Sequence, residues 1–155
     1  MILVDANVFV LDLRYARDRL YQSNRAFLDA LAASGNGAVT LYTLLEVAGI
    51  LSFNLNPRQL RELVVHFPRR YGVAVLPPAD LSMDLPMAGV GAILARMEKR
   101  CSMGDALAME AAERVAGPGA VYVTWDADHF TGRTTLHVQT PAEWLEEQTD
   151  GPHSP

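Results

Sequence analysis

Short β-rich runs alternate along this chain with longer stretches of helical periodicity, and that alternation restricts the folds open to it. Ile2-Leu3-Val4, Ala38-Val39-Thr40-Leu41-Tyr42, Val73-Ala74-Val75-Leu76 and Ala120-Val121-Tyr122-Val123-Thr124 read as strands, and Leu136-His137-Val138 as a candidate fifth. Between the first two, Leu13, Leu20, Phe27, Leu28 and Leu31 recur at helical spacing over residues 12–33, as one long or two short amphipathic helices stopped by Ser34-Gly35-Asn36-Gly37. Thr43 with Glu46 three residues on has the capping-box pattern. Asn56-Pro57 predicts a helix over 58–67. Further helices are predicted over 84–100 and 103–115, the second ended by Gly117-Pro118-Gly119, and Thr140-Pro141-Ala142-Glu143 opens a short last one. The pattern predicts an α/β fold with a central, mostly parallel sheet of four to five strands and helices on both faces. In such sheets ligands bind outside the carboxyl ends of the strands. The length of 155 residues fits one domain, expected over 1–148, with 149–155 as a frayed tail.

Several acids stand where that architecture makes charge expensive. Asp5 directly follows the first strand, and Asp126, in Thr124-Trp125-Asp126-Ala127-Asp128, follows the fourth, so both belong to the same sheet edge. Glu46 comes early in an otherwise apolar helix after the second strand, and Asp105 interrupts Met103-Gly104-Asp105-Ala106-Leu107 near a helix start. Each has an ordinary reading: capping acid for Glu46, macrodipole partner for Asp105, turn formers for Asp126 and Asp128. Asp5 resists one, because a carboxylate at the tip of a central strand is costly unless paired or bound to an ion. Like charges gathered in one pocket call for a cation, and a hard divalent ion with oxygen ligands, Mg²⁺ or Mn²⁺, suits carboxylates. Zinc does not: His66, His129, His137 and His153 show no ligand spacing, and Cys101 is the single cysteine. His129 reads as a surface loop residue.

In order, spacing and local context, these four blocks resemble those of PIN-domain ribonucleases, most closely the VapC toxins of toxin–antitoxin pairs, over residues 1 to about 147. The resemblance implies a three-layer PIN-like fold and a Mg²⁺- or Mn²⁺-dependent endoribonuclease, commonly a homodimer restrained by a cognate VapB-like antitoxin. It makes Asp5, Glu46, Asp105 and Asp126 the acidic, metal-holding pocket, with Asp5 and Asp105 as principal ligands. Asp128 is an alternative fourth acid. Thr124 matches the family's small hydroxyl residue, and Asn7 is expected to orient Asp5 by a hydrogen bond from behind the ligand shell.

RNA also needs positive charge beside such a pocket. Arg58, Arg61, Arg69 and Arg70 cluster around the helix after Pro57 and are candidates for RNA or antitoxin contact, against the ordinary reading of a solvated basic face. The apolar stretch 41–55 reads mainly as core, with room for an antitoxin groove. The net charge of −5 first argues against a nucleic-acid partner. Setting aside the four pocket acids and Glu143, Glu146, Glu147 and Asp150 near the end leaves 10 acids against all 13 basic residues. The lone cysteine, the lack of a signal-peptide pattern and the lack of a long apolar stretch lead to the expectation of a cytoplasmic protein without a membrane segment. Two other classes compete: a non-catalytic PIN-like binding or scaffold protein, and a Mg²⁺-dependent phosphatase of the haloacid dehalogenase type. The phosphatase needs a second acid where Asn7 stands and a lysine, of which Lys99 is the only one. A dinucleotide fold lacks its glycine fingerprint after the first strand.

Overall fold

The computed structural model describes residues 1–78, 84 and 88–149. Its strands are β1 (Ile2–Val4), β2 (Gly37–Thr40), β3 (Val73–Leu76), β4 (Val121–Val123) and β5 (His137–Gln139), all parallel, in the order β3-β2-β1-β4-β5. The helices are α1 (Ala6–Arg14), α2 (Tyr21–Ser34), α3 (Leu41–Ser52), α4 (Pro57–Tyr71), α5 (Val90–Glu98), α6 (Met103–Val115), α7 (Ala127–Phe130) and α8 (Pro141–Thr149).

Alternation along the strands builds two apolar layers. Val4, Val39 and Val123 face a cluster containing Phe9, Phe27, Leu31, Val47, Phe67 and Trp144, contributed by α1, α2, α3, α4 and α8. Leu3, Ala38 and Tyr122 face the other way, onto Cys101, Ala106, Met109, Ala112 and Phe130. Covered on both faces, the strands can be short, apolar runs. Two left-handed glycines close helices and let the chain turn back into the sheet: Gly35 (φ 64°) after α2 and Gly72 (φ 63°) after α4. A Cβ at Gly72 would also stand 2.9 Å from Ala32 Cα, so that turn needs both the dihedral and the space.

Several boundaries differ from the sequence expectation. α1 begins at Ala6, since Asp5 caps it and Val8, Phe9, Val10 and Leu11 bury its face; residues 12–33 therefore divide between two helices with a break after Arg14. Thr40, not Thr43, caps α3: its hydroxyl oxygen accepts from the Thr43 N–H at 3.0 Å. Glu46 thus lies in the second turn, released from any capping duty. The helix from Pro57 runs past 67 to Tyr71, accommodating Pro68. The helix expected over 84–100 spans Val90–Glu98, with 79–83 and 85–87 outside the described residues. The expected frayed tail lies outside them from 150 onward. No helix among the described residues is long and apolar enough to cross a membrane.

The strand order places the switch in direction between β1 and β4. The chain moves outward from β1 to β2 and β3, then returns to β4 on the other side of β1. A crevice opens at the carboxyl ends of such a strand pair.

Candidate functional site

Asp5 leaves the end of β1, its N–H still donating to the Val123 carbonyl of β4 at 2.9 Å, and its carboxylate caps α1. Oδ1 accepts from the Ala6 N–H at 2.8 Å and the Tyr122 hydroxyl at 3.1 Å; Oδ2 accepts from the Thr124 hydroxyl at 2.7 Å. The residue is 7% exposed. Burial pushes its carboxyl above the usual carboxylate range, against the three hydrogen bonds that favour the charged form, and Asp105 adds repulsion.

Asp5, Glu46, Asp105 and Asp126 line one cavity of about 220 Å³, with Ala6, Asn7, Val10, Ile50 and Phe130 as its other walls. The elements explain the convergence. Asp5 and Asp126 follow neighbouring strands, Glu46 projects from α3 after β2, and Asp105 lies in the first turn of α6 on the opposite layer. No Lys, Arg or His is among the lining residues. Glu46 shows the electrostatic result: burial first, then Asp5, then Asp105, push its carboxyl up to about 7.

Asp105 combines two roles that the sequence reading weighed separately. As the third helical residue it completes a capping box with Ser102, whose N–H and hydroxyl donate to Oδ2 at 3.3 and 2.8 Å. His129 Nε2 also approaches Oδ2, to 3.3 Å, without making a hydrogen bond. The reading of His129 as a surface loop residue is therefore corrected: α7, a short helix absent from the expectation, turns it inward to a side chain 29% exposed. Asp126 lines the cavity, whereas Asp128, in the exposed first turn of α7, is not among the lining residues.

Asn7 and Thr124 sit behind the acids in an arrangement different from the expected direct contact. Asn7 Nδ2 donates to Thr124 Oγ1 at 2.8 Å, Thr124 donates onward to Asp5, and the Asp126 N–H donates to Thr124 Oγ1 at 3.1 Å. Asn7 thus reaches Asp5 through Thr124. Tyr122 was not singled out in the sequence; its signal is a hydroxyl two residues before Thr124, which directly follows the same strand.

The four arginines singled out on α4 do not line the acidic cavity. Arg58 pairs with Glu62 in an exposed i,i+4 contact at 2.8 Å, and Arg70 leans over the Tyr71 ring with Nη2 3.9 Å from Asp12. Arg61 and Arg69 are exposed. Arg70 does line a second groove, of about 360 Å³, with Leu13, Leu51, Leu55, Leu63 and His66. Arg14 comes closer than these to a cavity wall: its Nη1 donates to the carbonyl of Ile50, a lining residue, at 3.4 Å.

The donor set of the cavity is all carboxylate oxygen, which suits a hard divalent ion. Among the described residues no three carboxylate, imidazole or thiol groups already surround a common point. Both Asp5 oxygens accept hydrogen bonds, and Asp105 Oδ2 accepts from Ser102.

No family model matches the sequence, and no curated protein does either. Solved structures do share its fold. A chain of VapBC2 from Rickettsia felis, in a complex with a DNA fragment from their promoter, superposes with a TM-score of 0.58 at 18% identity, covering 90% of this chain and 98% of that one. For VapBC-1 from nontypeable Haemophilus influenzae the values are 0.57 and 16%, covering 91% and 98%. For FitAcB from Neisseria gonorrhoeae they are 0.56 and 19%, again covering 91% and 98%. The α/β fold with helices on both sides of a parallel sheet, expected as PIN-like, is the fold observed.

Proposed function

We propose that this chain is a divalent-metal-dependent endoribonuclease of the PIN type, acting as the toxin of a toxin–antitoxin pair. The observation that carries the reading is the meeting of Asp5, Glu46, Asp105 and Asp126 in one cavity without a lining cation. Such an assembly of like charges is unfavourable in isolation and is accounted for by a cation that joins it. The shared fold with VapBC and FitAcB chains supports the same assignment.

Asp5, Glu46, Asp105 and Asp126 would hold Mg²⁺ or Mn²⁺, with Asp105 turning its carboxylate from Ser102 toward the cavity. When bound, the ion supplies charge neutralisation at a phosphodiester and a more acidic water. The remaining work falls to the chain. Tyr122 and Thr124 hold Asp5 in one orientation, so no side-chain search is needed as ligand and substrate assemble. Glu46, its carboxyl pushed up to about 7 by burial and by Asp5 and Asp105, would have to give up its proton to act as a metal ligand. Phe130, Val10 and Ile50 form apolar walls beside the acids. The products would carry 5′-phosphate and 3′-hydroxyl ends.

Arg14 is positioned to meet a phosphate of an RNA strand leaving the cavity along α1 and α3. The apolar groove between α3 and α4, with Arg70 at its side, fits a segment of a VapB-like antitoxin. The protein is proposed to act as a homodimer, for which the exposed Leu45 of α3, Phe53 directly after α3, and Val90, Leu94 and Met97 of α5 provide apolar surface. Cleavage of total RNA with Mn²⁺, comparing wild type with Asp105→Asn, tests the enzyme reading. Loss of cleavage in the variant is expected, and equal activity in both would overturn the reading in favour of a scaffold.

A further inference from the structure

Trp125 immediately precedes Asp126, and both of its N–H groups are taken by asparagines from other elements. The backbone N–H donates to Asn7 Oδ1 at 3.2 Å, and the indole Nε1–H donates to Asn24 Oδ1 at 2.7 Å. Asn24 belongs to α2 and is 0% exposed; its Nδ2 donates to the Val8 carbonyl of α1 at 2.9 Å. Chemistry fixes the direction of that amide. An indole N–H only donates, so the amide oxygen must face Trp125, which leaves the nitrogen for Val8.

Asn24 occupies the apolar stripe of α2, in register with Phe27, Leu28 and Leu31, where a leucine would bury without polar cost. Its two contacts give the amide a purpose there. One grips the helix that carries Asn7; the other grips the side chain next to Asp126. Trp125 is thereby held from two sides, by α1 and by α2, at the point where the chain leaves β4. Of the two nearby acids, both exposed, Asp126 lines the cavity and Asp128 is not among its lining residues.

We infer that Asn24 and Trp125 are positioning residues for the fourth acid of the cavity, acting as one relay from Asn24 through the Trp125 indole to Asp126. The inference rests on the metal-site reading above and extends it to residues outside the acidic set. The relay explains how an exposed carboxylate just beyond β4 keeps a repeatable place in the wall of the cavity that Asp5 and Glu46 also line. It also makes α2, which contributes no cavity wall, a determinant of the site.

Calorimetric titration of Mn²⁺ into the full chain, well below the unfolding midpoint, tests the relay without relying on catalysis. Trp125→Phe retains an aromatic ring for packing and removes the indole donor together with part of the ring area, while Asn24→Ala removes the other partner. Each is expected to raise the Mn²⁺ dissociation constant about tenfold, the lower range for groups that orient metal ligands. The double variant should bind no more weakly than the weaker single one, because both break the same relay. Asp126→Asn should weaken binding at least as much, and Asp128→Asn should leave it within about twofold. If Trp125→Phe and Asn24→Ala lower the melting temperature but keep the wild-type dissociation constant, both residues serve stability alone and the inference is overturned. A folded wild type that takes up no Mn²⁺ overturns the metal reading itself, and this role with it; the wild-type titration separates the two failures.

Discussion

Asp5 and Asp12 stand at opposite ends of α1, both with side chains withdrawn from water, in opposite electrostatic settings. Asp12, its side chain 3% exposed, accepts from Arg25 at 3.1 Å and from the Tyr71 hydroxyl at 2.9 Å, and Arg70 lies 3.9 Å away. It ties α1 to α2 and α4. Asp5 accepts only from neutral donors, and its charged neighbours are acids. Burial of a carboxylate therefore does not by itself mark a functional site; burial without a compensating cation does. The Arg96 cluster belongs with Asp12: its guanidinium meets Glu113 at 2.6 Å and Glu110 at 3.2 Å and fastens α5 to α6.

The largest expected effect lies at Asp5. Asp5→Asn should reduce metal-dependent RNA cleavage by about a thousandfold or more, since it removes a ligand charge from the proposed ion. The same change should raise the melting temperature of the metal-free protein by roughly 2–4 °C, because it relieves a buried, uncompensated charge. A lower melting temperature would erase the contrast with Asp12.

Asp12→Ala should do the reverse. Unfolding in urea should show a loss of about 2–3 kcal/mol, below the usual cost of breaking a fully buried pair because Arg25 is partly solvated. Cleavage per folded molecule should be retained; its loss would show that the two ends of α1 are not separable.

Glu46 sharpens the comparison through pH. Its folded carboxyl is raised from an ordinary 4.5 to about 7, so between these values the folded chain binds a proton that the unfolded chain has released. Metal-free stability contributed by this group is full below about pH 4.5, falls as pH climbs toward 7, and is lost above it. Melting curves across that window should slope downward in wild type relative to Glu46→Gln; parallel curves would contradict the assignment. Glu110, Glu113 and Glu143, whose carboxyls are lowered, act at more acidic pH and in the opposite sense.

The smallest effect is expected on α4. Arg58→Ala breaks an exposed pair with Glu62 and should change stability by less than about 0.5 kcal/mol. It should leave the KM for RNA unchanged, whereas Arg14→Ala, beside a cavity wall, should raise it. Equal changes in KM would return the α4 arginines to the substrate path.

The parallel sheet and the four acidic blocks were legible because their signals are local: a short apolar run, a helical period, a carboxylate directly after a strand. Thr40 and Thr43 show where local reading failed. Thr43 with Glu46 satisfies the capping pattern, yet the strand ends three residues earlier and Thr40 takes the cap. Asn24 was not singled out in the sequence, since its partners Val8 and Trp125 lie in other elements. His129 was misplaced for the same reason, because the turn that directs it at Asp105 exists only once α6 and α7 are packed at one edge.

The order of elements, the parallel connection of strands through helices and the sheet edge that receives Asp5 and Asp126 follow from the residues in sequence, because periodicity and strand direction are properties of short segments. Which acids share a cavity, which of Asp126 and Asp128 faces it, and which buried carboxylate is neutralised were decided by the tertiary structure. Charge compensation acts across space over a few ångströms, and residues from α2, α3, α6 and the end of β4 come within that range only when both layers close on the sheet.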